Sequence, residues 1–290
     1  MPGAPQPPTA VAVVTDSTAY LPPDVARSAK VTVVPLAVVI DGVEVLEGID
    51  VSPREVARAL EARRVAVTTS RPAPAQFAGV YERLLAGGAP GVVSVHLSAR
   101  LSGTYDAAVL AAAEFPDRVA VVDARSTGMG LGFPALAAAA VSGCGDVARV
   151  RDAAAAAVAR TTTLFYVDTL EFLRRGGRIG AASALLGTAL SVKPILHMAG
   201  GEIVVRDKVR TASRALARLV DLAVDAAGES VVDVAVHHLA APERAADLAD
   251  RLAQRLGGRL RDHYLTEIGA VVGAHVGPGM TSIVVHRSEG

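Results

Sequence analysis

Val92-Val93-Ser94-Val95-His96-Leu97-Ser98-Ala99-Arg100-Leu101-Ser102-Gly103-Thr104-Tyr105 reads in three parts: a strand, a hydroxyl-rich loop and the opening of a helix. Val92–Val95 is apolar enough for a strand covered on both faces. From Tyr105 to Phe115 the apolar residues fall at helical spacing. The loop between them sets Ser102, Gly103 and Thr104 at a helix start, where unsatisfied N–H groups and a partial positive charge suit an anion.

The same strand–loop–helix unit recurs on either side. Val11–Val14, Val31–Val34 and Val119–Val122 read as further buried strands. Pro74 to Ala86 reads as a helix, and Ser52-Pro53-Arg54-Glu55 is a capping box with proline at the first helical position. Asp41-Gly42, between Val38–Ile40 and Val43–Val45, marks a tight hairpin. This alternation predicts an α/β fold whose N-terminal domain, residues 11–160, holds a parallel sheet with right-handed crossovers. After an Ala-rich helix at 147–160 the rhythm changes. Leu164–Val167, Val192–Leu196, Ile203–Val205, Val231–Val236, Val271–His275 and Ile283–Val285 read as strands, with helices near 211–226 and 242–256. Ala199-Gly200-Gly201 signals a hairpin, so the C-terminal α/β domain, residues 161–290, is expected to carry a mixed or antiparallel sheet. Gly257-Gly258 reads as a loop, and residues 1–10 as a disordered Pro-rich tail.

The bulk properties narrow the function. Of 290 residues, Lys+Arg and Asp+Glu number 29 each, which argues against a nucleic-acid surface. The single cysteine, Cys144, excludes an internal disulfide and a cysteine-based zinc cage, and suits a reducing cytoplasm. Mean hydropathy is high at +0.38, and alanine tracts such as Ala153–Ala157 explain much of it. No stretch approaches the roughly 18 apolar residues that span a bilayer. A soluble cytoplasmic protein is expected.

Polar clusters follow the strands: Thr15-Asp16-Ser17-Thr18, Thr68-Thr69-Ser70-Arg71-Pro72, Ser98–Thr104 and Asp123-Ala124-Arg125-Ser126-Thr127. One such loop is explained by helix capping. Four at the carboxyl ends of parallel strands point to one binding rim. Gly128-Met129-Gly130-Leu131-Gly132 lacks the spacing of a dinucleotide fingerprint, and close helix packing explains it better. No phosphate loop with a Gly-Lys-Ser/Thr ending occurs. In Leu170-Glu171-Phe172-Leu173-Arg174-Arg175-Gly176-Gly177-Arg178-Ile179 the double glycine permits a left-handed stop and a close backbone approach. It leaves Arg178 as a candidate for a buried charge-assisted contact. The histidines show no ligand spacing with carboxylates, so no metal site is expected. Ser102, His275 and either Asp16 or Asp123 could be drawn as a catalytic triad, but Leu101-Ser102-Gly103 is not a nucleophile elbow.

Six motifs occur together and in order: Thr15-Asp16-Ser17-Thr18, Thr69-Ser70-x-Pro72, Leu101-Ser102-Gly103-Thr104-Tyr105, Gly176-Gly177-Arg178-Ile179, Lys193-Pro194-Ile195-Leu196 and His275-x-Gly277-Pro278-Gly279. In this the chain resembles the DegV family from about Val11 to Val285. The resemblance implies two α/β domains enclosing a long-chain fatty acid in a tunnel between them. It implies the acyl-carrying subunit of a bacterial fatty acid kinase, which presents the carboxylate to a separate ATP-dependent kinase subunit for acyl phosphate formation. Thr69, Ser102 and the amide near Gly103 then match the residues that hold the carboxylate, within a charged network of Arg178 and His275. Arg71, Ala73, Ala124 and Val276 depart from the residues more frequent in that pattern.

Physical chemistry agrees with this picture. A carboxylate withdrawn from water needs several donors. About 15 methylenes at ~0.8 kcal/mol each offer on the order of 12 kcal/mol before ordering costs. With 51% hydrophobic but only 3% aromatic residues, such a tunnel would have aliphatic walls. The expected protein is therefore a fatty-acid carrier without its own catalytic site, cofactor or metal, acting in phospholipid metabolism. Arg206, Lys208 and Arg210 are candidates for docking the kinase, and transient contact with a membrane surface is a further expectation. Two other classes share the anion cradle: a serine hydrolase or acyl-transferase using Ser102 and His275, and a nucleotide or sugar-phosphate binder.

Overall fold

The computed structural model describes residues 10–61, 67–70, 72–185 and 192–288. The expected tail thus lies, save Ala10, outside the described residues, as do Val65 and Arg71.

Strand β1 (Ala12–Asp16) leads through α1 (Pro23–Ser28) to β2 (Val31–Val34). β3 (Ala37–Ile40) and β4 (Val43–Leu46) pair antiparallel about Asp41-Gly42, whose φ values of 50° and 82° are those a two-residue hairpin turn requires. The capping box opens α2 (Pro53–Glu61): Ser52 N–H donates to Glu55 Oε2 at 2.8 Å, and Glu55 N–H to Ser52 Oγ at 3.4 Å. Then come β5 (Val67–Thr69), α3 (Pro74–Ala86), β6 (Val92–His96), α4 (Thr104–Ala112), β7 (Val119–Asp123), α5 (Met129–Val141) and α6 (Val147–Ala159). The parallel sheet has the order β2-β1-β6-β7, and every residue of the central strand β6 is buried, Ser94 and His96 included. A small antiparallel sheet, β4-β3-β5, stands apart and carries Thr69 at its end.

The second half runs β8 (Thr161–Tyr166), α7 (Glu171–Arg175), β9 (Lys193–Ala199), β10 (Glu202–Val209), α8 (Ala212–Ala227), β11 (Val232–His238), α9 (Pro242–Leu256), β12 (Leu260–Glu267), α10 (Ala270–Val276) and β13 (Thr281–Arg287). Its six strands have the order β10-β9-β8-β13-β11-β12, and only β11 and β12 pair parallel. Alternation divides the two faces of this sheet. Leu164, Tyr166, Ile283, Val285, Val234 and Val236 pack with α8 and α9. Ala235 and Val284 pack against Met129 and Phe133 of α5 instead, while Phe165 and Leu196 join the core of the first half.

Two expectations need correction. Val271–His275 is not a strand but most of helix α10. Its β-branched residues favour a strand locally, yet its first N–H groups are satisfied from far away. Val271 N–H donates to Glu47 Oε1 at 2.8 Å, and Val272 N–H to the Tyr20 hydroxyl at 3.3 Å. The segment at Leu260–Glu267, passed over in the sequence, is β12. It is the edge of its sheet, half exposed with no residue buried, and rich in charge, so it lacks the apolar run that betrays a central strand. Among the described residues no helix is long and apolar enough to cross a membrane.

Candidate functional site

The polar loops at the strand ends divide the work. Asp16, at the end of β1, is fully buried and accepts from His96 Nδ1 at 3.0 Å, Leu97 N–H at 3.1 Å and Thr18 N–H at 3.1 Å. His96 Nε2 lies 2.7 Å from Ser94 Oγ, which in turn accepts from the Tyr81 hydroxyl at 2.9 Å. Tyr81, Ser94, His96 and Asp16 thus form a closed polar chain beneath the 97–104 loop. His96 thus meets a carboxylate from a distant segment, and no three metal-ligating side chains gather among the described residues. Asp123 is likewise committed, accepting from Ala99 and Arg125 N–H groups at 3.3 and 2.8 Å.

Next to the 97–104 loop lies a pocket of about 880 Å³, open solvent at its mouth included. Both halves of the chain line it. Leu36, Leu97 and Leu101 come from the first, and Phe165, Met198, Ile203 and Met280 from the second. Its walls are mainly aliphatic, as expected, with Tyr20, Phe165, His237 and His275 as the aromatic exceptions.

Four of the five expected site residues line this pocket: Thr69, Ser102, Arg178 and His275. Gly103 stands just outside the lining as the N-cap of α4. Thr69 Oγ1 and His275 Nε2 are 3.2 Å apart although 206 residues separate them in sequence. His275 lies in the last turn of α10, and its pKa falls to about 4, through burial first and the neighbouring Arg178 charge second. The ring is therefore neutral at neutral pH. Nδ1 is buried with no hydrogen-bond partner among the described residues, and a side chain on Gly176 would strike it. Leaving a lone pair there costs less than leaving an N–H there, which assigns the proton to Nε2. Nε2–H then donates to Thr69 Oγ1 and leaves the threonine proton free for a ligand.

Arg178 is half-buried, with Nε 3.0 Å from Leu101 O and Nη1 2.7 Å from Gly176 O. It thereby ties the Ser102 loop to the double glycine. The two glycines serve different needs: Gly176 lets His275 approach, whereas Gly177 sits at φ +68° with open space around it. Ser102 Oγ is 2.9 Å from Thr104 Oγ1 and accepts the Thr104 N–H at 3.3 Å, so it is oriented at the start of α4. The sequence-drawn triad is not assembled. His275 pairs with Thr69, Ser102 with Thr104, and both candidate aspartates are bound elsewhere.

Two contributors escaped the sequence reading and left no signal in it. Glu47, 5% exposed, binds the Ser17 hydroxyl, accepts from the Tyr20 hydroxyl at 3.2 Å and caps α10 through Val271 N–H. Burial pushes its carboxyl pKa up. His237 forms pocket wall with both ring nitrogens occupied, Nε2 by Met129 N–H at 2.9 Å and Nδ1 by Thr266 Oγ1 at 2.6 Å. Gly130 is a packing glycine, as the reading of the glycine repeat expects, since a side chain there would strike Ser126 and Thr163.

A family model described as "Uncharacterised protein, DegV family" matches residues 10–288. A DegV domain-containing protein of Streptomyces coelicolor is 55% identical over 276 residues, 95% of this chain and 98% of that protein. Among solved structures, a fatty-acid-binding DegV family protein from Thermus thermophilus superposes with a TM-score of 0.89 at 32% identity, covering 96% of this chain and all of that one. DegV, a fatty acid binding protein from Bacillus subtilis, gives 0.87 at 31% identity, covering 96% of this chain and 99% of that one.

Proposed function

Since this chain belongs to the DegV family, we propose that it binds a long-chain fatty acid with the carboxylate at Thr69, Ser102, Gly103, Arg178 and His275. The observation that carries this reading is the convergence of four of those residues, from four distant segments, on one otherwise aliphatic pocket. The freed Thr69 hydroxyl proton, the Ser102 hydroxyl and the amide at the start of α4 supply hydrogen bonds to the carboxylate. Arg178 supplies charge, and the aliphatic wall takes the chain. A neutral His275 does not neutralise the ligand; it orients Thr69 as a donor. The finding of fatty-acid binding in relatives at 31–32% identity supports the same reading.

The finer parts extend this. The chain acts as a carrier that leaves catalysis to a separate ATP-dependent kinase subunit, to which it offers the carboxylate in the cytoplasm. It needs no metal or cofactor of its own. Residues 11–160 and 161–290 form the two domains, a division supported by the parallel sheet using only strands before 124 and the six-stranded sheet only strands after 160. Arg206, Lys208 and Arg210 are exposed on and just beyond β10, the edge strand whose Ile203 lines the pocket, and offer a cationic stripe for the partner or for a passing anionic membrane surface.

Organic extraction of the purified protein followed by mass spectrometry tests the core of the reading. Stoichiometric long-chain fatty acid is expected. A ligand-free protein that takes up nucleotide but no fatty acid would sink the proposal. For the kinase step, reversing Arg206, Lys208 and Arg210 to glutamate should weaken acyl phosphate formation by the partner while fatty-acid affinity persists.

A further inference from the structure

The pocket is not apolar throughout. Strand register lines up Phe165, Ser282 and His237 on one face of the six-stranded sheet, since Phe165 pairs with Ser282 and Ser282 with His237. All three line the pocket, as does Thr163 two residues before Phe165 on the same face. Thr127 lies over this row: Ser126 beside it is 2.9 Å from Thr163 Oγ1, and a side chain on Gly128, its other neighbour, would stand 3.0 Å from His237 Nε2.

These hydroxyls are not all satisfied. Thr127 Oγ1 is buried without a partner, and Ser282, 2% exposed, lines the same pocket. Ser126 and Thr163 share one hydrogen bond between two hydroxyls, so one of their two protons is unused by it. His237 cannot serve them, because both its nitrogens are taken. No hydrogen bond joins this cluster to the Thr69–His275 pair or to Ser102. An unbranched alkyl chain would leave these groups unpaired, at a cost that buried polar groups seldom bear without a reason.

We propose that Thr127, Ser282 and the Ser126–Thr163 pair form a second polar subsite, and that the preferred ligand carries an oxygen substituent, a hydroxyl or a keto group, along its tail. This rests on the fatty-acid reading above and names the ligand class within it. A substituent that accepts from Thr127 or Ser282 satisfies two groups at once. A chain without one satisfies neither.

The test is a competition series on the purified protein after delipidation: stearic acid against positional isomers of hydroxystearic acid bearing the hydroxyl at mid-chain and late-chain carbons. One isomer is expected to bind about tenfold tighter than stearic acid, equivalent to ~1.4 kcal/mol. Thr127→Val, which keeps the shape, and Ser282→Ala should each bring that ratio toward one. Stearic acid binding as tightly as every isomer overturns the subsite and leaves the fatty-acid reading intact. A preferred isomer whose advantage survives both substitutions also overturns it. Failure of the whole series to bind overturns the fatty-acid reading itself.

Discussion

Gly176→Ala should separate a carboxylate site from a mere structural turn. A methyl group at Gly176 would lie 3.0 Å from His275 Cε1, 3.2 Å from Cγ and closer still to Nδ1. Ordinary carbon contacts need roughly 3.5–4.0 Å, so the ring must withdraw by about an ångström. His275 Nε2 starts 3.2 Å from Thr69 Oγ1, so that shift takes the pair out of hydrogen-bond range. Thr69 is then no longer oriented toward the ligand. Losing one hydrogen bond to a charged group costs about 1.5–3 kcal/mol, or roughly ten- to a hundredfold in affinity. Overpacking adds about 1–3 kcal/mol of lost stability.

Gly177→Ala is the internal control. Nothing lies within 4 Å of its added methyl, but its φ of +68° strains any L side chain, costing about 1–2 kcal/mol of stability. Displacement of a fluorescent fatty acid by palmitic acid, with thermal melts alongside, reads both effects. Gly176→Ala should lose affinity and melting temperature, and Gly177→Ala melting temperature alone. Equal affinity in the two variants, with matched melting shifts, would refute the reasoning that His275 organises the site.

Ser102→Ala and Thr69→Val should each weaken fatty-acid binding by about tenfold or more, through a lost hydrogen bond to a charged group, and Thr69→Val should also lower the melting temperature because it strands the His275 N–H; equilibrium titration and thermal melts check this. His237 and His275 both titrate near pH 4 in the native protein because burial disfavours their charged forms. The unfolded chain binds those protons first, so stability is fully present above about pH 6.5 and falls as pH drops from there toward 4, each histidine contributing up to about 1.4 kcal/mol per pH unit. Urea midpoints measured across that window should slope less steeply in His237→Gln. Glu47→Ala should cost about 2–4 kcal/mol, since it strips the cap from α10 and leaves the Ser17 and Tyr20 hydroxyls without their acceptor; chemical denaturation reads the loss.

Much of this protein is written locally. β-branched runs placed most of the strands, Asp41-Gly42 and Gly200-Gly201 placed hairpins, and Ser52 with Glu55 placed a helix start, because each depends on residues a few positions apart. The motif set likewise named Thr69, Ser102, Arg178 and His275, and the double glycine announced both a left-handed stop and a close approach. What needed the tertiary structure is whatever is satisfied across the chain. α10 is a helix because Glu47, 224 residues from Val271, accepts its N–H, so local propensity for a strand loses. Thr69 and His275 meet only because the fold brings β5 against α10, and burial with the Arg178 charge holds the imidazole pKa down. Asp16 and His96 meet because β1 and β6 pair. The pocket row of Phe165, Ser282 and His237 exists only once three strands are in register, and the unpartnered Thr127 hydroxyl meets it only through the fold. Sequence pattern records periodicity and turn chemistry, which act over a few residues. Hydrogen bonds between distant segments leave no mark on that pattern, and in this chain they decide the site.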